Sequence, residues 1–304
     1  MSKKPKPILF TGNANRPLAN KVAKLLGIKL GRSIVKKFSD GETYVQIKED
    51  IKNKKVFVMQ SSSLNSNDNL MELLIMIHAL KAMEPKKIVA IIPFFPYRRM
   101  EKTVAEGESL TFELVADLLK TAGVDKVIVL DLHKHRAKRF FNFQRKELLA
   151  FPVIVSRLLR KRLDNFVIVA PDKGSMPESK KYARELEVPI VKAYKTRKEH
   201  DKAIIKKMVG DVKGKDVIII DDEINTAGTL CGVVAELKKR KARNIYFACT
   251  HAVLSGPAID RLRNTRIREI IVTDTIYLPP KKRLPKIKVL SVAPLIAEAI
   301  RNDR

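Results

Sequence analysis

Short runs rich in Val and Ile alternate along this chain with stretches whose apolar residues recur every three or four positions, and few folds accommodate that alternation. Such runs suit strands buried on both faces. A helix between successive strands allows them to lie parallel, so the pattern predicts α/β sheets with helices on both sides. In the first half, strands are predicted at 8–11, 33–38, 56–60, 88–92 and 127–131, with helices near 18–26, 69–82 and 110–122. The pattern restarts after Pro152, with strands at 167–170, 190–192, 217–220, 244–250 and 269–273. Two similar domains are therefore expected, residues 1–150 and 151–304, each a mostly parallel sheet flanked by helices. An internal echo points the same way. Val58-Met59-Gln60 leads through Asn67-Asp68-Asn69 into a helix, much as Ile220 leads through a small-residue loop into another.

That loop belongs to the most informative local stretch, Ile218-Ile219-Ile220-Asp221-Asp222-Glu223-Ile224-Asn225-Thr226-Ala227-Gly228-Thr229. The apolar triplet has the makeup of a central parallel strand, and acids at its C-terminal end fall where open α/β sheets bind ligands. Thr226 to Thr229 turn the chain into Leu230, Val233, Val234 and Leu237, whose spacing is that of an amphipathic helix. Backbone N–H groups at that helix start can cradle a phosphate, while two adjacent carboxylates accept hydrogen bonds from vicinal ribose hydroxyls. A sugar phosphate fits this combination; an acidic turn that merely caps the helix is the plainer alternative.

Bulk properties agree with an enzyme of the cytoplasm without naming one. The 304 residues, 45% of them hydrophobic, suffice for one large or two medium cores. No apolar run approaches a membrane span, and Ser2-Lys3-Lys4-Pro5-Lys6-Pro7 lacks the apolar stretch of a secretion signal. Cys231 and Cys249 each sit among apolar residues, which suits buried free thiols rather than a disulfide or metal pair. The net charge of +28, from 61 Lys and Arg against 33 Asp and Glu, exceeds what phosphate binding needs. It suits steering of polyanionic substrates. With no nucleic-acid module and 6% aromatics, no specific nucleic-acid partner is expected.

Several further segments match one family in order and spacing. They are Phe38-Ser39-Asp40-Gly41-Glu42, Asn67 to Met76, Asp131-Leu132-His133, Asp172, Thr250-His251, Leu254-Ser255-Gly256-Pro257-Ala258 and Val272-Thr273-Asp274-Thr275. From Phe10 to Ile300 the chain resembles the ribose-phosphate pyrophosphokinases, also called phosphoribosyl diphosphate synthases. The resemblance implies two phosphoribosyltransferase-type I-like domains, the first binding ATP and the second ribose 5-phosphate. It also implies transfer of a diphosphoryl group from Mg2+-ATP to the anomeric hydroxyl of the sugar phosphate. That reaction gathers about six negative charges at pH 7, so cations are required.

Roles for individual residues follow from the same resemblance. His133 and Asp172 contact the metal. Lys195 and Arg197, just after the strand at 190–192, are the catalytic cations on a mobile loop, and Arg197 also meets the sugar phosphate. Asp221 and Asp222 grip the ribose hydroxyls, and Asn225, Thr226, Ala227, Gly228 and Thr229 hold the 5-phosphate. Asp40, Gly41, Glu42, Arg99, Met100 and Lys102 serve ATP, in a site completed across a subunit interface, so a homo-oligomer built from dimers is expected, up to a hexamer. Composition alone would read Lys192, Lys195, Arg197, Lys198 and Lys202 as a solvated basic loop.

Departures from the family pattern fall at working positions. Asn225 stands where an Asp is usual and loses its charge, and Met100 stands where a Gln would reach adenine. Arg98 and Glu101 also differ, and Lys102 is the only cation of the segment 102–109. The basic run Lys134 to Arg139 replaces a polar one near a phosphate and ADP control site of relatives. Weak or altered phosphate dependence is expected, and a phosphate titration of turnover that showed strong activation would contradict it. A noncatalytic regulatory homologue is the main alternative these departures raise, and a phosphoribosyltransferase the second.

Overall fold

The computed structural model describes residues 6–132, 139–161, 164–199 and 202–303, with backbone alone at 195–199 and 202–206. The chain divides into two compact units: Met1–Leu149 with Thr275–Tyr277 and Val292–Arg304, and Ala150–Asp274 with Leu278–Ser291. The range 151–304 needs correction at its end, because the chain's last helix belongs to the first unit.

In the first unit, β1 (Ile8–Thr11), β4 (Lys55–Met59), β5 (Lys87–Ile92), β6 (Lys126–Leu130) and β7 (Gln144–Leu148) form a sheet ordered β1-β4-β5-β6-β7, parallel throughout. A separate antiparallel hairpin joins β2 (Ser33–Lys37) to β3 (Thr43–Ile47). Helix α1 (Arg16–Leu26) starts where the Asn15 side chain accepts from Leu18 N at 3.3 Å. It stops at Gly27, whose φ of 65° favours glycine. Its buried stripe, Leu18, Ala19, Val22 and Ala23, packs against α8 (Ala293–Asn302). Asp303, just beyond α8, pairs with Lys55 at 2.9 Å and also with Lys126. Those contacts explain why the C-terminal segment leaves the second unit. Helices α2 (Ser66–Lys81) and α3 (Thr111–Ala122) cover the sheet, over a core in which Phe95 stacks on Phe112 with ring centres 4.7 Å apart.

The second unit carries seven strands in the order β10-β9-β8-β11-β12-β13-β14. These are β8 (Phe166–Ala170), β9 (Ile190–Glu199), β10 (Lys202–Val209), β11 (Asp216–Ile224), β12 (Ile245–Ala252), β13 (Glu269–Thr273) and β14 (Ile287–Leu290). All pairs are parallel except β9 with β10. Helices α4 (Phe151–Leu159), α5 (Met176–Glu185), α6 (Gly228–Lys239) and α7 (Ala258–Arg263) complete it.

Two expectations change here. Lys195 and Arg197 lie within a strand, since β9 continues to Glu199 with Lys195 opposite Ile205 and Arg197 opposite Ala203. Strand β9 pairs with β8 only at Ile190 to Lys192, so its remainder and the edge strand β10 tolerate such a basic sequence as a sheet edge does. The strand expected at 217–220 also runs on, to Ile224, because pairing with β12 persists through Glu223↔His251 and Ile224↔Ala252. The acids therefore end the strand from inside it.

Candidate active site

The central strand β11 carries the acidic group. Asp221, Asp222 and Glu223 are half-buried, and Asp221 Oδ1 accepts from the backbone N–H of Asp222 at 3.0 Å. Burial first, then the negative charges of Asp222 and Asp172, push the Asp221 carboxyl well above the usual carboxylate range. Asp172 follows β8, where Ser175 fixes it: Ser175 N donates to Asp172 Oδ1 at 3.0 Å, and Asp172 N donates to Ser175 Oγ at 3.3 Å. Asp222, beside Asp221 on β11, and Asp172, after the neighbouring strand β8, are thus near enough for their charges to act on Asp221.

This repulsion has a measurable consequence. A carboxyl whose folded pKa is raised contributes stability below its unfolded value near 3.8, and that contribution is lost as pH rises through the folded pKa. Asp221→Asn removes the charge, so the variant should melt higher than the parent at pH 8, with the gain shrinking toward pH 4. A gain of about 1 kcal/mol would raise Tm by ~2 to 4 °C. Thermal melts across pH check it; an equal or lower Tm at pH 8 would contradict the burial argument.

Beyond the strand, Asn225, Thr226, Ala227, Gly228 and Thr229 form the turn into α6. Ala227 adopts the left-handed conformation at φ 61°, ψ 6° and stands immediately before the helix. The arrangement aims a helix N-terminus and its dipole at one point, as an anion site requires. Cys249 pairs with Asp221 across β12 and is fully buried, which raises its thiol pKa far from reactive values.

In the first unit, Asp40, Gly41 and Glu42 make the exposed turn of the β2–β3 hairpin. Phe38 N donates to Glu42 O at 2.8 Å, Glu42 N to Asp40 Oδ1 at 3.0 Å, and Gly41 has φ 95°. Arg99, Met100 and Lys102 follow β5. Arg99 and Lys102 are exposed, whereas Met100 is half-buried with its N–H on Tyr97 O at 2.8 Å. His133 and residues 134–138 lie outside the described residues, as do the side chains of Lys195 and Arg197.

Sequence reasoning missed two supporting groups. Arg98, noted only as a departure, is buried and donates from Nη2 to Asp131 O at 3.0 Å, bracing the turn that leads toward His133. Glu72 is also buried. It accepts from Asn13 N at 2.7 Å, Gln60 Nε2 at 2.6 Å and Asn13 Nδ2 at 2.8 Å, which fixes the loop after β1. Its signal was present, a carboxylate among helix positions whose other buried residues are Leu, Met and Ile.

The donor set suits Mg2+ arriving with a phosphate substrate. Among the described residues no three acidic, His or Cys side chains gather as a ready-made cage. Mg2+ keeps several waters and uses one or two carboxylates plus substrate phosphates, and Asp172 with the Asp221–Asp222 pair supplies hard oxygen donors of that kind.

Two mostly parallel sheets flanked by helices, one with carboxylates at the end of a central strand and a helix N-terminus just after them, define an α/β protein of two units. Comparison with known proteins narrows the class. Residues 7–123 match the family description "N-terminal domain of ribose phosphate pyrophosphokinase", and residues 200–303 match "Phosphoribosyl synthetase-associated domain". Ribose-phosphate pyrophosphokinase from Caldanaerobacter subterraneus subsp. tengcongensis is 44% identical over 293 residues, 96% of this chain and 93% of that one. The Bacillus caldolyticus protein of the same name is 42% identical over 292 residues, again 96% and 93%. A crystal structure of phosphoribosylpyrophosphate synthetase from Mycobacterium smegmatis superposes with a TM-score of 0.93 at 39% identity, covering 98% of this chain and 99% of that one. The chain belongs to the ribose-phosphate pyrophosphokinase family.

Proposed function

We propose that this protein is a ribose-phosphate diphosphokinase acting in nucleotide biosynthesis. It transfers the diphosphoryl group of ATP to the anomeric hydroxyl of ribose 5-phosphate, giving phosphoribosyl diphosphate and AMP. The anomeric oxygen forms a bond to the β-phosphorus, the bond from that phosphorus to the α,β-bridging oxygen breaks, and AMP leaves. The observation that carries this reading is similarity to ribose-phosphate pyrophosphokinases along 96% of the chain.

Residue roles extend the reading. Asp221 and Asp222 accept hydrogen bonds from the ribose hydroxyls and so orient the anomeric oxygen. The backbone from Asn225 to Thr229 receives the 5-phosphate, with Arg197 adding charge. Lys195 and Arg197 stabilise negative charge as it spreads over the β-phosphoryl oxygens. Asp40, Gly41, Glu42, Arg99, Met100 and Lys102 bind ATP. His133 and Asp172 hold Mg2+, which when bound neutralises phosphate charge. Asn225 keeps the shape of an aspartate without its charge, so position 225 contributes hydrogen bonding alone.

Assembly as a homo-oligomer is part of the proposal. Helix α2 is apolar at most positions from Leu70 to Leu80, leaving Met71 52% exposed, and Leu114 on neighbouring α3 is also 52% exposed. A face of that kind suits burial against a second copy. No helix among the described residues is long and apolar enough to cross a membrane, and we place the protein in the cytoplasm.

The test is direct. Purified protein is mixed with Mg2+, ATP and ribose 5-phosphate, and the products are separated by mass spectrometry. AMP and phosphoribosyl diphosphate forming one for one is the expected result. No turnover from folded protein, across several metals and nucleotides, would favour a regulatory homologue instead.

A further inference from the structure

The turn assigned above to the 5-phosphate is braced from behind by the segment that follows β12. Leu254 N donates to Ile224 O at 3.0 Å, Ser255 N to Asn225 O at 3.2 Å, and Arg261 Nη1 to Thr226 O at 3.0 Å. Three consecutive carbonyls are therefore fixed. A trans peptide unit is planar with its C=O and N–H on opposite sides, so pinning each carbonyl also fixes the N–H of the following residue. Asn225, Thr226 and Ala227 each have an N–H directed away from the group that holds the preceding carbonyl. Such N–H groups before and at a helix start are what an anion binds.

The brace is needed, because Ala227 at φ 61° occupies a region that residues with a Cβ rarely adopt. Local sequence alone would not hold that turn in one conformation. Arg261 is well placed to hold it. The half-buried residue sits on α7, and its own carbonyl accepts from Thr265 Oγ1 at 2.6 Å and lies 3.9 Å from Cys231 Sγ in the first turn of α6. Lys282 Nζ meanwhile donates to Leu254 O at 2.7 Å, and Ser255 Oγ donates to Asn225 Oδ1. Arg261 contributes something backbone contacts cannot, a permanent positive charge directly behind a turn that would receive a dianion.

We propose that Arg261 is a positioning residue of the ribose 5-phosphate site: through the carbonyl of Thr226 it sets the Ala227 N–H, one of the groups that receive the 5-phosphate. This rests on the reading of Asn225 to Thr229 as the phosphate-binding turn. Arg261 touches the turn from outside, so its removal should act on sugar-phosphate affinity and leave nucleotide affinity alone.

Arg261→Met keeps the aliphatic stem and removes the donors, and Arg261→Lys keeps a charge with a different reach. Binding is measured by titrating ribose 5-phosphate into the folded proteins, alongside the KM values for both substrates and kcat. R261M should weaken ribose 5-phosphate about 10- to 100-fold, the usual worth of a hydrogen bond to a charged group, with R261K between it and the parent. The loss should fall on the sugar-phosphate KM more than on kcat, with the ATP KM within about twofold. An unchanged ribose 5-phosphate affinity in folded R261M overturns the proposal. So does an equal rise in both KM values, which marks general loosening. If R261M does not fold, R261K carries the test, and an unchanged affinity there overturns it equally. Parent protein that fails to bind ribose 5-phosphate would defeat the functional reading itself; parent binding with an unchanged variant defeats this inference alone.

Discussion

Replacing Lys195 with alanine lowers turnover by at least ~100-fold, the cost of losing one well-placed donor to developing transition-state charge. The expectation rests on chemistry. Neither Lys195 nor Arg197 needs to exchange a proton; each meets negative charge that grows as the β-phosphoryl group moves between oxygens. The effect should therefore appear in kcat, with the KM of ribose 5-phosphate changed far less. The place of Lys195 in β9 adds a constraint, because its backbone is paired with Ile205 of β10 and is not in an unpaired loop. A strand holds its residues in a fixed register, so the roles proposed for Lys195 and Arg197 would be exerted from positions two apart on one paired strand. Steady-state kinetics of the variant check this, and near-parental turnover would mean that the cation lies elsewhere in the hairpin.

Glu72→Ala should cost ~3 to 5 kcal/mol of stability, read as a lower midpoint of urea unfolding. The carboxylate is 7% exposed and accepts three hydrogen bonds, from Asn13 N, Asn13 Nδ2 and Gln60 Nε2. Alanine would take the acceptor from Asn13 N and leave Asn13 Nδ2 and Gln60 Nε2 with only their longer bonds to Val35 O at 3.3 Å and Asn69 O at 3.4 Å. Gly12 is part of the same arrangement, since a Cβ there would sit 2.6 Å from both the Gln60 side chain and Glu72 Oε1. Glu72→Gln keeps the shape and at least one acceptor, so it should lose less. Equal midpoints for Glu72→Ala and the parent would show that the loop after β1 finds other partners.

The parts of the fold legible in the sequence were those driven by burial on two faces. Ile8–Thr11 and Glu269–Thr273 were found with their observed ends, because a short, mostly apolar run buried on both faces has few alternatives to a strand. Charge-rich strands were not. β7 reads Gln144-Arg145-Lys146-Glu147-Leu148, and β10 and the part of β9 beyond Lys192 mix Lys with apolar residues, so nothing in their composition separates them from solvated loop. In the site, Asp221, Asp222 and the turn after them were readable because a carboxylate beside a buried strand is costly and local. Arg98 and Arg261 act on carbonyls 33 and 35 residues away, and a hydrogen bond to a backbone carbonyl leaves no mark on the partner's side-chain type. The end of the second domain was misjudged for a related reason: α8 has the same amphipathic pattern whichever sheet it covers.

Return of α8 to the first unit sets an order for synthesis. The strands of the first sheet are complete by Leu148, yet the stripe of Leu18, Ala19, Val22 and Ala23 has no covering helix until residues 293–302 have been made. The second unit needs nothing beyond Ser291. On the ribosome, the domain that begins first is thus the one that finishes last, and it waits with an apolar helix face open for the length of the other. Asp303 closes that interval by joining Lys55 and Lys126.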